Sequence, residues 1–247
     1  MRHTGFSTGC LHGSGMSMEE IVELYLSAGA DAIELSFATP QEMEDFQLSD
    51  NLSGKINKFD YVTVHAPWKR NYHFHDEEAR MVVDKIGEIS AKADIRGVVV
   101  HPDPLPPLNI LMESGIPFLI ENMDHMKYFG TEPKHFRQFK RYYNLDFVFD
   151  IQHAYEHDPS MKLAEELMIC IGPRLKHMHA SGQAGGLNHS LIHAAENRDA
   201  ITGILQKAAG LGIEKPVIIE GVMSGSRENF YNSARKEMEL VKEYYRK

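Results

Sequence analysis

Short apolar runs, rich in β-branched and aromatic residues, alternate along the chain with longer segments whose apolar residues recur at helical spacing. The runs are apolar throughout, as in LDFVFD at 145–150, which is typical of parallel strands that are buried on both faces. The alternation occurs eight times in 247 residues, and no linker or shift in composition divides it. The pattern therefore predicts an α/β fold, a single (β/α)8 TIM barrel that spans residues 1–247.

The predicted elements follow from apolar periodicity and from the positions of proline and glycine. The expected strands are Phe6–His12, Asp31–Phe37, Tyr61–His65, Gly97–His101, Pro117–Glu121, Leu145–Asp150, Arg174–His179 and Pro216–Glu220. The expected helices are Met18–Ala28, Gln41–Leu52, Asp76–Lys92, Leu105–Ser114, Pro133–Tyr143, Ser160–Ile171, Ala194–Leu211 and Arg227–Tyr245. Ser17 and Glu20 have the spacing of a capping box at the start of the first helix.

The formal net charge of −9 disfavours any partner that is held mainly through phosphate contacts, because such binding needs clustered lysine and arginine. One basic cluster exists at helical spacing among aromatic residues: Lys134, Arg137, Lys140 and Arg141. We interpret it as the solvated face of a helix, with a local basic groove as the alternative.

The two cysteines, Cys10 and Cys170, are far apart, so the sequence suggests neither a disulfide framework nor a cysteine zinc site. The first residues lack the apolar core of a signal peptide, and no apolar run approaches 18 residues. We therefore expect a cytoplasmic protein without a membrane span.

Six consecutive predicted strands end in side chains that can bind a divalent metal ion. In a TIM barrel the carboxyl ends of all strands meet at one mouth, where catalytic groups gather. A lone histidine or glutamate at a strand end is usually a hydrogen-bonded structural residue, but six in succession predict a metal site. The candidate ligands are His65, His101, Glu121, Asp150, His153, His177 and Glu220, with His179 beside them.

Carboxylates and imidazoles without thiolates suit Zn or Mn, with Mg and Co as further candidates. The sequence leaves the number of ions open, between one and three per chain. Either Glu121 or Glu220 bridges two ions about 3.5–4 Å apart, or one ion is held by a quartet and the remaining histidines contact substrate. That quartet would be Glu121, Asp150, His177 and Glu220.

Two further side chains are expected near the mouth. Glu34 closes the second strand and would line the pocket, unless it pairs with a neighbouring basic residue. Trp68 follows His65 and would stack on a sugar or a base, unless it packs against Pro67.

Several of these segments resemble the xylose isomerase-like TIM-barrel superfamily, including AP endonuclease family 2, to which endonuclease IV belongs. Glu121 and Glu220 stand where that family has its bridging glutamate and its last-strand glutamate. The similar segments are His65-Ala66-Pro67-Trp68, Val99-Val100-His101-Pro102, Ile120-Glu121-Asn122 and Asp150-Ile151-Gln152-His153-Ala154. The resemblance also implies that His177 is the strand-seven ligand and His189 the loop ligand.

Departures from the family patterns separate two branches of that superfamily. The Asp of the endonuclease loop motif Asp-Arg-His is replaced by Leu187 in Leu187-Asn188-His189. The Arg that sugar epimerases place after the strand-seven histidine is absent from Ser181–His189. His179 could replace a missing ligand or contact substrate.

The sequence favours the isomerase or epimerase branch, acting on a sugar-like small molecule next to a metal-bound carbonyl. Glu121 and Glu220 would exchange a proton with a substrate carbon, and His153 would steer a hydroxyl. The alternative is an endonuclease IV-like zinc hydrolase acting on abasic-site DNA, in which His65, His101, His153, His177 and His189 distribute the ions. A third possibility is a barrel that binds a metal–ligand complex without catalysis; the oligomeric state stays open.

Overall fold

Eight parallel strands close into one barrel in the computed structural model, which describes residues 2–69, 75–103 and 107–245. Their order around the barrel is β1-β10-β7-β6-β5-β4-β3-β2. The barrel strands are β1 Thr4–Ser7, β2 Ala32–Ser36, β3 Tyr61–His65, β4 Ile95–Val100, β5 Phe118–Glu121, β6 Asp146–Asp150, β7 Leu175–Ala180 and β10 Val217–Ile219. The predicted (β/α)8 fold is confirmed.

The helices surround the barrel and join successive strands. They are α1 Met18–Ser27, α2 Pro40–Asp45, α3 Asp50–Ile56, α4 Asp76–Ser90, α5 Leu108–Glu113, α6 Pro133–Tyr143, α7 Ile151–His157, α8 Lys162–Ile171, α9 Arg198–Gly210 and α10 Arg227–Tyr244. Short 3-10 helices cover Thr8–Leu11, Gly172–Arg174 and Ile192–Ala194. The capping box of Ser17 and Glu20 is present at the start of α1.

The structure corrects four details of the predicted elements. The strand expected over Phe6–His12 is Thr4–Ser7, and Thr8–Leu11 forms a 3-10 helix after it. The helix expected over 41–52 is two helices, because α2 ends before Phe46 and Ser49 caps a new helix by accepting from the amide of Leu52. The helix expected from Leu105 begins at Leu108, and residues 104–106 lie outside the described part of the chain. The helix expected from Ala194 begins at Arg198.

Two elements near the mouth were not predicted. Helix α7 starts directly after Asp150, whose Oδ1 accepts the amide hydrogen of His153 at 2.6 Å. Strands β8 (Gly182–Ala184) and β9 (Leu187–Ser190) form an antiparallel hairpin between β7 and α9. Both are shorter than the windows over which apolar periodicity becomes visible in a sequence.

The basic cluster on α6 lies on the surface. Lys134, Arg137 and Arg141 are exposed, whereas Phe136 and Phe139 on the opposite face are buried in the core. The cluster is therefore a solvated helix face, as expected. Across the described ranges, no helix is both long enough and apolar enough to span a membrane.

Gly5 allows β1 to approach β2 closely. A Cβ atom at this position would lie 1.6 Å from the carbonyl oxygen of Ala32, so no larger residue fits without moving a strand. Gly87 in α4 is exposed and has open space at the same point.

We predict that Gly5→Ala lowers the free energy of unfolding by about 3 kcal/mol or more, because the added methyl group overlaps backbone. The same change at Gly87 should raise it by about 0.5–1 kcal/mol, because a helix interior favours alanine over glycine. Urea unfolding followed by circular dichroism measures both. A Gly5→Ala variant as stable as the parent would contradict the close approach of the two strands.

Candidate functional site

The predicted strand-end residues surround a cavity of about 230 Å³ at the mouth of the barrel. It is lined by Ser7, Gly9, Ser36, His65, Trp68, His101, Glu121, His153, Asn188, His189, Glu220 and Val222. Asp150, His177 and His179 lie deeper and are 0% exposed, whereas the side chains of Glu220 and His189 retain 15% and 32% exposure. The cavity therefore opens past Glu220 and His189 toward a buried floor.

The carboxylate of Glu121 divides its two oxygens between two groups of histidines. Oε2 lies 3.2 Å from Nε2 of His65 and 3.1 Å from Nε2 of His101. Oε1 lies 2.8 Å from Nδ1 of His179 and 3.7 Å from Nδ1 of His153. A carboxylate with donor atoms gathered at each oxygen has the arrangement of a bridging metal ligand.

The structure gathers a quartet of potential ligands that contains His179, where the sequence analysis expected His177. Atoms of Glu121, Asp150, His179 and Glu220 lie within 4.8 Å of one another, whereas Nε2 of His177 faces Glu34 at 3.3 Å. The cause is the register of the sheet, in which His179 pairs with Asp150. His177 is two residues earlier on the same inward face and lies one layer deeper.

His153 and His189 meet beside this quartet. Their Nε2 atoms are 3.3 Å apart, and Nδ1 of His153 donates to the carbonyl of Asn122 at 2.8 Å. That bond leaves Nε2 of a neutral His153 free to accept a proton or bind an ion. Together with Asp150 they form a third group that could hold a metal ion.

The β8–β9 hairpin carries His189 to the mouth. His189 has a φ of +57°, a left-handed conformation that is uncommon for residues other than glycine and often marks functional sites. Gly221 permits the hairpin to approach, because a Cβ there would lie 2.8 Å from the carbonyl oxygen of Ser190. The amide of Val222 then donates to the carbonyl of His189 at 2.7 Å.

The two tentative substrate residues are placed differently. Trp68 lines the cavity, and its indole N–H donates to Oγ of Ser36 at 3.2 Å. Glu34 is 0% exposed and lies beneath the mouth, where it faces His177 and His179. Glu34 therefore does not line the cavity, and the basic residues that face it are His177 and His179.

Asn122 is a site residue whose role the sequence did not reveal. Its side-chain N–H donates to the carbonyl of Asp150 at 2.8 Å, and its Oδ1 accepts the amide hydrogen of Asp150 at 2.7 Å. The pair of bonds continues the β5–β6 ladder beyond the strand ends. Asn122 thus fixes Asp150 relative to Glu121, and only the adjacency of the two strands could have indicated it.

The electrostatics of the site separate the two glutamates. Burial raises the pKa of Glu121, but the facing His179, His101 and His65 outweigh it and hold that pKa well below its usual range. Burial raises the pKa of Glu220 to about 8 against the opposing effect of His179, with Glu121 and Asp150 adding to the rise.

Two histidines of the site, His153 and His179, have raised pKa values. Burial lowers the pKa of His153, but Asp150 and Glu121 raise it to about 9. Burial likewise opposes protonation of His179, while Glu220, Glu34 and Glu121 raise its pKa well above the usual value. Without another cation, these rings supply the positive charge that the buried carboxylates require.

The donor set fits divalent metal ions. Oδ2 of Asp150 is buried and accepts no hydrogen bond. Asp150 belongs to the quartet of potential metal ligands. An unpartnered buried carboxylate oxygen is costly unless a cation reaches it. His65, His101 and Glu121 would hold one ion, and Glu121, Asp150, His179 and Glu220 another.

No protein-family model and no curated protein sequence matches the chain. Solved structures do match it. D-psicose 3-epimerase from Clostridium cellulolyticum H10, in a structure with D-tagatose, is 13% identical with a TM-score of 0.73, and the match covers 100% of both chains. Endonuclease IV from Thermus thermophilus is 16% identical with a TM-score of 0.67, covering 98% of this chain and 99% of the other. A D-tagatose 3-epimerase-like protein is 21% identical with a TM-score of 0.66, covering 98% and 96%.

The chain has the fold of the xylose isomerase-like TIM barrels. Structures of both branches that the sequence resembles, sugar epimerases and endonuclease IV, match this fold at similar TM-scores. The shared fold therefore leaves the reaction to be argued from the residues of the mouth.

We predict that Asn122→Leu lowers the free energy of unfolding by about 1–3 kcal/mol, because it leaves the buried amide and carbonyl of Asp150 without partners. It should also weaken metal binding about 10–100-fold, since Asp150 loses its support. Thermal unfolding and chelator competition measure the two effects. Asn57→Leu, at an exposed position, is the control, and equal behaviour of the two variants would contradict this role.

We predict that metal binding releases protons and tightens with rising pH. Near pH 7 the metal-free protein holds protons on His179, on His153 with its pKa of about 9, and on Glu220 with its pKa of about 8. Each must leave when its nitrogen or oxygen binds an ion. Calorimetry of zinc binding in buffers of different ionisation enthalpy should show more than one proton released per chain. An affinity that does not change between about pH 6 and 8 would contradict the prediction.

Proposed function

We propose that the protein is a divalent-metal-dependent phosphoester hydrolase in which Glu121 bridges two metal ions. The observation that carries the proposal is the division of the Glu121 oxygens, with Oε2 on His65 and His101 and Oε1 on His179. A mononuclear isomerase needs only the quartet as metal ligands and would use the histidine pair at the other oxygen as substrate contacts, whereas a two-metal hydrolase uses that pair as ligands. The proposal therefore prefers the hydrolase over the isomerase that the sequence favoured.

His65, His101 and Glu121 would hold one ion and Glu121, Asp150, His179 and Glu220 another, and the bound ions would supply positive charge for an in-line phosphoryl displacement. The residues of the chain supply the binding groups and the surroundings. The near-complete burial of Glu121 and Asp150 keeps bulk water from the floor, which strengthens every electrostatic interaction there. His153 and His189, at the open side, are placed to bind a third ion or to orient an oxygen of the substrate.

The size of the cavity and the charge of the protein favour a small substrate over a DNA duplex. The cavity volume of about 230 Å³ lies below the roughly 300–1,000 Å³ of typical small-molecule pockets. Among the described residues, no lysine or arginine lines it. The net charge of −9 also disfavours a DNA duplex, which would need a basic surface.

A sugar isomerase or epimerase is the second candidate, and a specific observation favours it. The pKa of Glu121 lies well below its usual range while that of Glu220 is raised to about 8, so one is ionised and the other protonated near neutral pH. Two carboxyl groups whose pKa values are separated in this way form a base and acid pair for proton transfer at carbon. D-psicose 3-epimerase and the D-tagatose 3-epimerase-like protein share the fold.

Elemental analysis of the purified protein and of a His101→Ala variant separates the two candidates. The hydrolase proposal predicts two or more ions per chain, and His101→Ala should lose one of them. The phosphoesterase activity of His101→Ala should fall at least about 100-fold, because the proposed pair of metal ions is no longer complete. His125→Ala, at a more exposed ring outside the ligand groups, is the control and should keep both metal and activity.

The assays should include a small aryl phosphodiester, an abasic-site duplex and a series of ketoses in deuterated water. Cleavage of the small ester supports the proposal. Cleavage of the duplex but not of the small ester would indicate that the substrate is DNA. One ion per chain, together with deuterium uptake into a ketose that survives His101→Ala, would overturn the hydrolase and establish the isomerase.

A further inference from the structure

The layer of side chains below the mouth is apolar on one side of the barrel interior and polar on the other. On β4, β5 and β6 the inward positions hold Val99, Leu119 and Val148, which pack together. On β2, β3 and β7 the corresponding positions hold Glu34, Thr63 and His177. All six side chains are 0% exposed. A carboxylate in such a place needs partners, because burying an unpaired one costs several kcal/mol.

Glu34 faces a hydroxyl group and two imidazole rings, although its Oε1 accepts no hydrogen bond. The hydroxyl of Thr63 donates to Oε2 at 2.8 Å, and Nε2 of His177 lies 3.3 Å from the same oxygen. Nε2 of His179 lies 3.2 Å from Oε1. On the other edge of the His177 ring, Nδ1 lies 3.0 Å from the hydroxyl oxygen of Tyr61. Nε2 of His179 also lies 3.4 Å from Oε2 of Glu34 and 3.1 Å from Nε2 of His177. An ionised carboxylate only accepts hydrogen bonds, so a His179 ring that bonds Glu34 must carry a hydrogen on Nε2.

His179 joins this lower layer to the mouth. Its Nδ1 lies 2.8 Å from Oε1 of Glu121 and 3.3 Å from Oε2 of Glu220, on the opposite edge of the ring from Glu34. A neutral imidazole has one protonated and one free nitrogen, and the partner of the protonated nitrogen determines which is free. With its hydrogen on Nε2, His179 offers the lone pair of Nδ1 to the quartet.

We propose that Glu34 is a positioning residue that holds His179 in the tautomer presenting Nδ1 to the metal ligands, with His177 and Tyr61 as its support. The inference rests on the metal site of the proposed function and does not depend on which reaction that site performs. Strands β2 and β7 are separated by β1 and β10 in the barrel, so the contact crosses the interior. Because β2 and β7 are not hydrogen-bonded to each other, backbone pairing does not set the position of His179 relative to β2. The contact between the side chains of Glu34 and His179 sets it.

Glu34→Gln tests the role while preserving shape. One acceptor oxygen becomes an NH2 group that faces an imidazole N–H, so the ring can turn or change tautomer. We expect zinc affinity, measured by chelator competition, to fall about 10–100-fold, the usual effect of losing such a partner. Glu44→Gln, the same change at an exposed position outside this network, is the matched control and should leave the affinity unchanged.

Nitrogen-15 NMR of labelled histidine gives a readout that a purely structural role would not alter. In the zinc-loaded parent protein, His179 should carry its hydrogen on Nε2, and in Glu34→Gln it should show mixed tautomers or weakened metal coupling. The measurement on the parent needs no variant, so a poorly folding Glu34→Gln protein would not prevent the test. A parent His179 that binds zinc through Nε2 would overturn the inference.

The stoichiometry distinguishes the remaining outcomes. If Glu34→Gln binds two ions as tightly as the parent, the inference fails and the two-metal proposal stands. If the variant loses a whole ion while its remaining sites stay tight, Glu34, His177 and His179 are themselves a closed metal site, and the positioning role is wrong. If the parent binds no metal, both proposals fail.

Discussion

The carboxylate of Glu121 is the interaction on which the mouth of this barrel depends. It is 1% exposed and is approached by histidines from β3, from the end of β4, from β7 and from α7, at distances of 2.8–3.7 Å. A buried anion of this kind is stable only while several positive or polar groups face it. Because those groups come from different parts of the chain, the charge of one side chain orders a large part of the mouth.

The sequence was sufficient to predict the fold and most residues of the site, for a physical reason. Parallel strands buried on both faces must be apolar, so a polar residue that ends such a run is conspicuous. His65, Glu121 and Asp150 each end a strand in this way. The topology of the barrel then brings them together without any information about side-chain contacts.

What the sequence could not resolve depends on register and on long-range packing. His177 and His179 both point inward because side chains alternate along a strand, and only the pairing of His179 with Asp150 assigns them to different layers. The partners of Glu34 come from the other side of the barrel and have no signature near it in the chain. The bond pair between Asn122 and Asp150 likewise exists only because β5 and β6 are neighbours.

The mouth has two parts, the strand residues of the floor and the β8–β9 hairpin, and they are held in place by different contacts. The floor is made of strand residues whose positions are bound into the closed sheet. The hairpin is an added segment fastened at its edges, through the amide of Val222 to the carbonyl of His189 and the amide of Gln183 to Oδ1 of Asn197. Replacing residues 182–190 would therefore exchange the rim of the mouth, including His189, while leaving the candidate ligands on the barrel strands in place. In this barrel the rim and the floor of the mouth are separable units, and one can be redesigned without rebuilding the other.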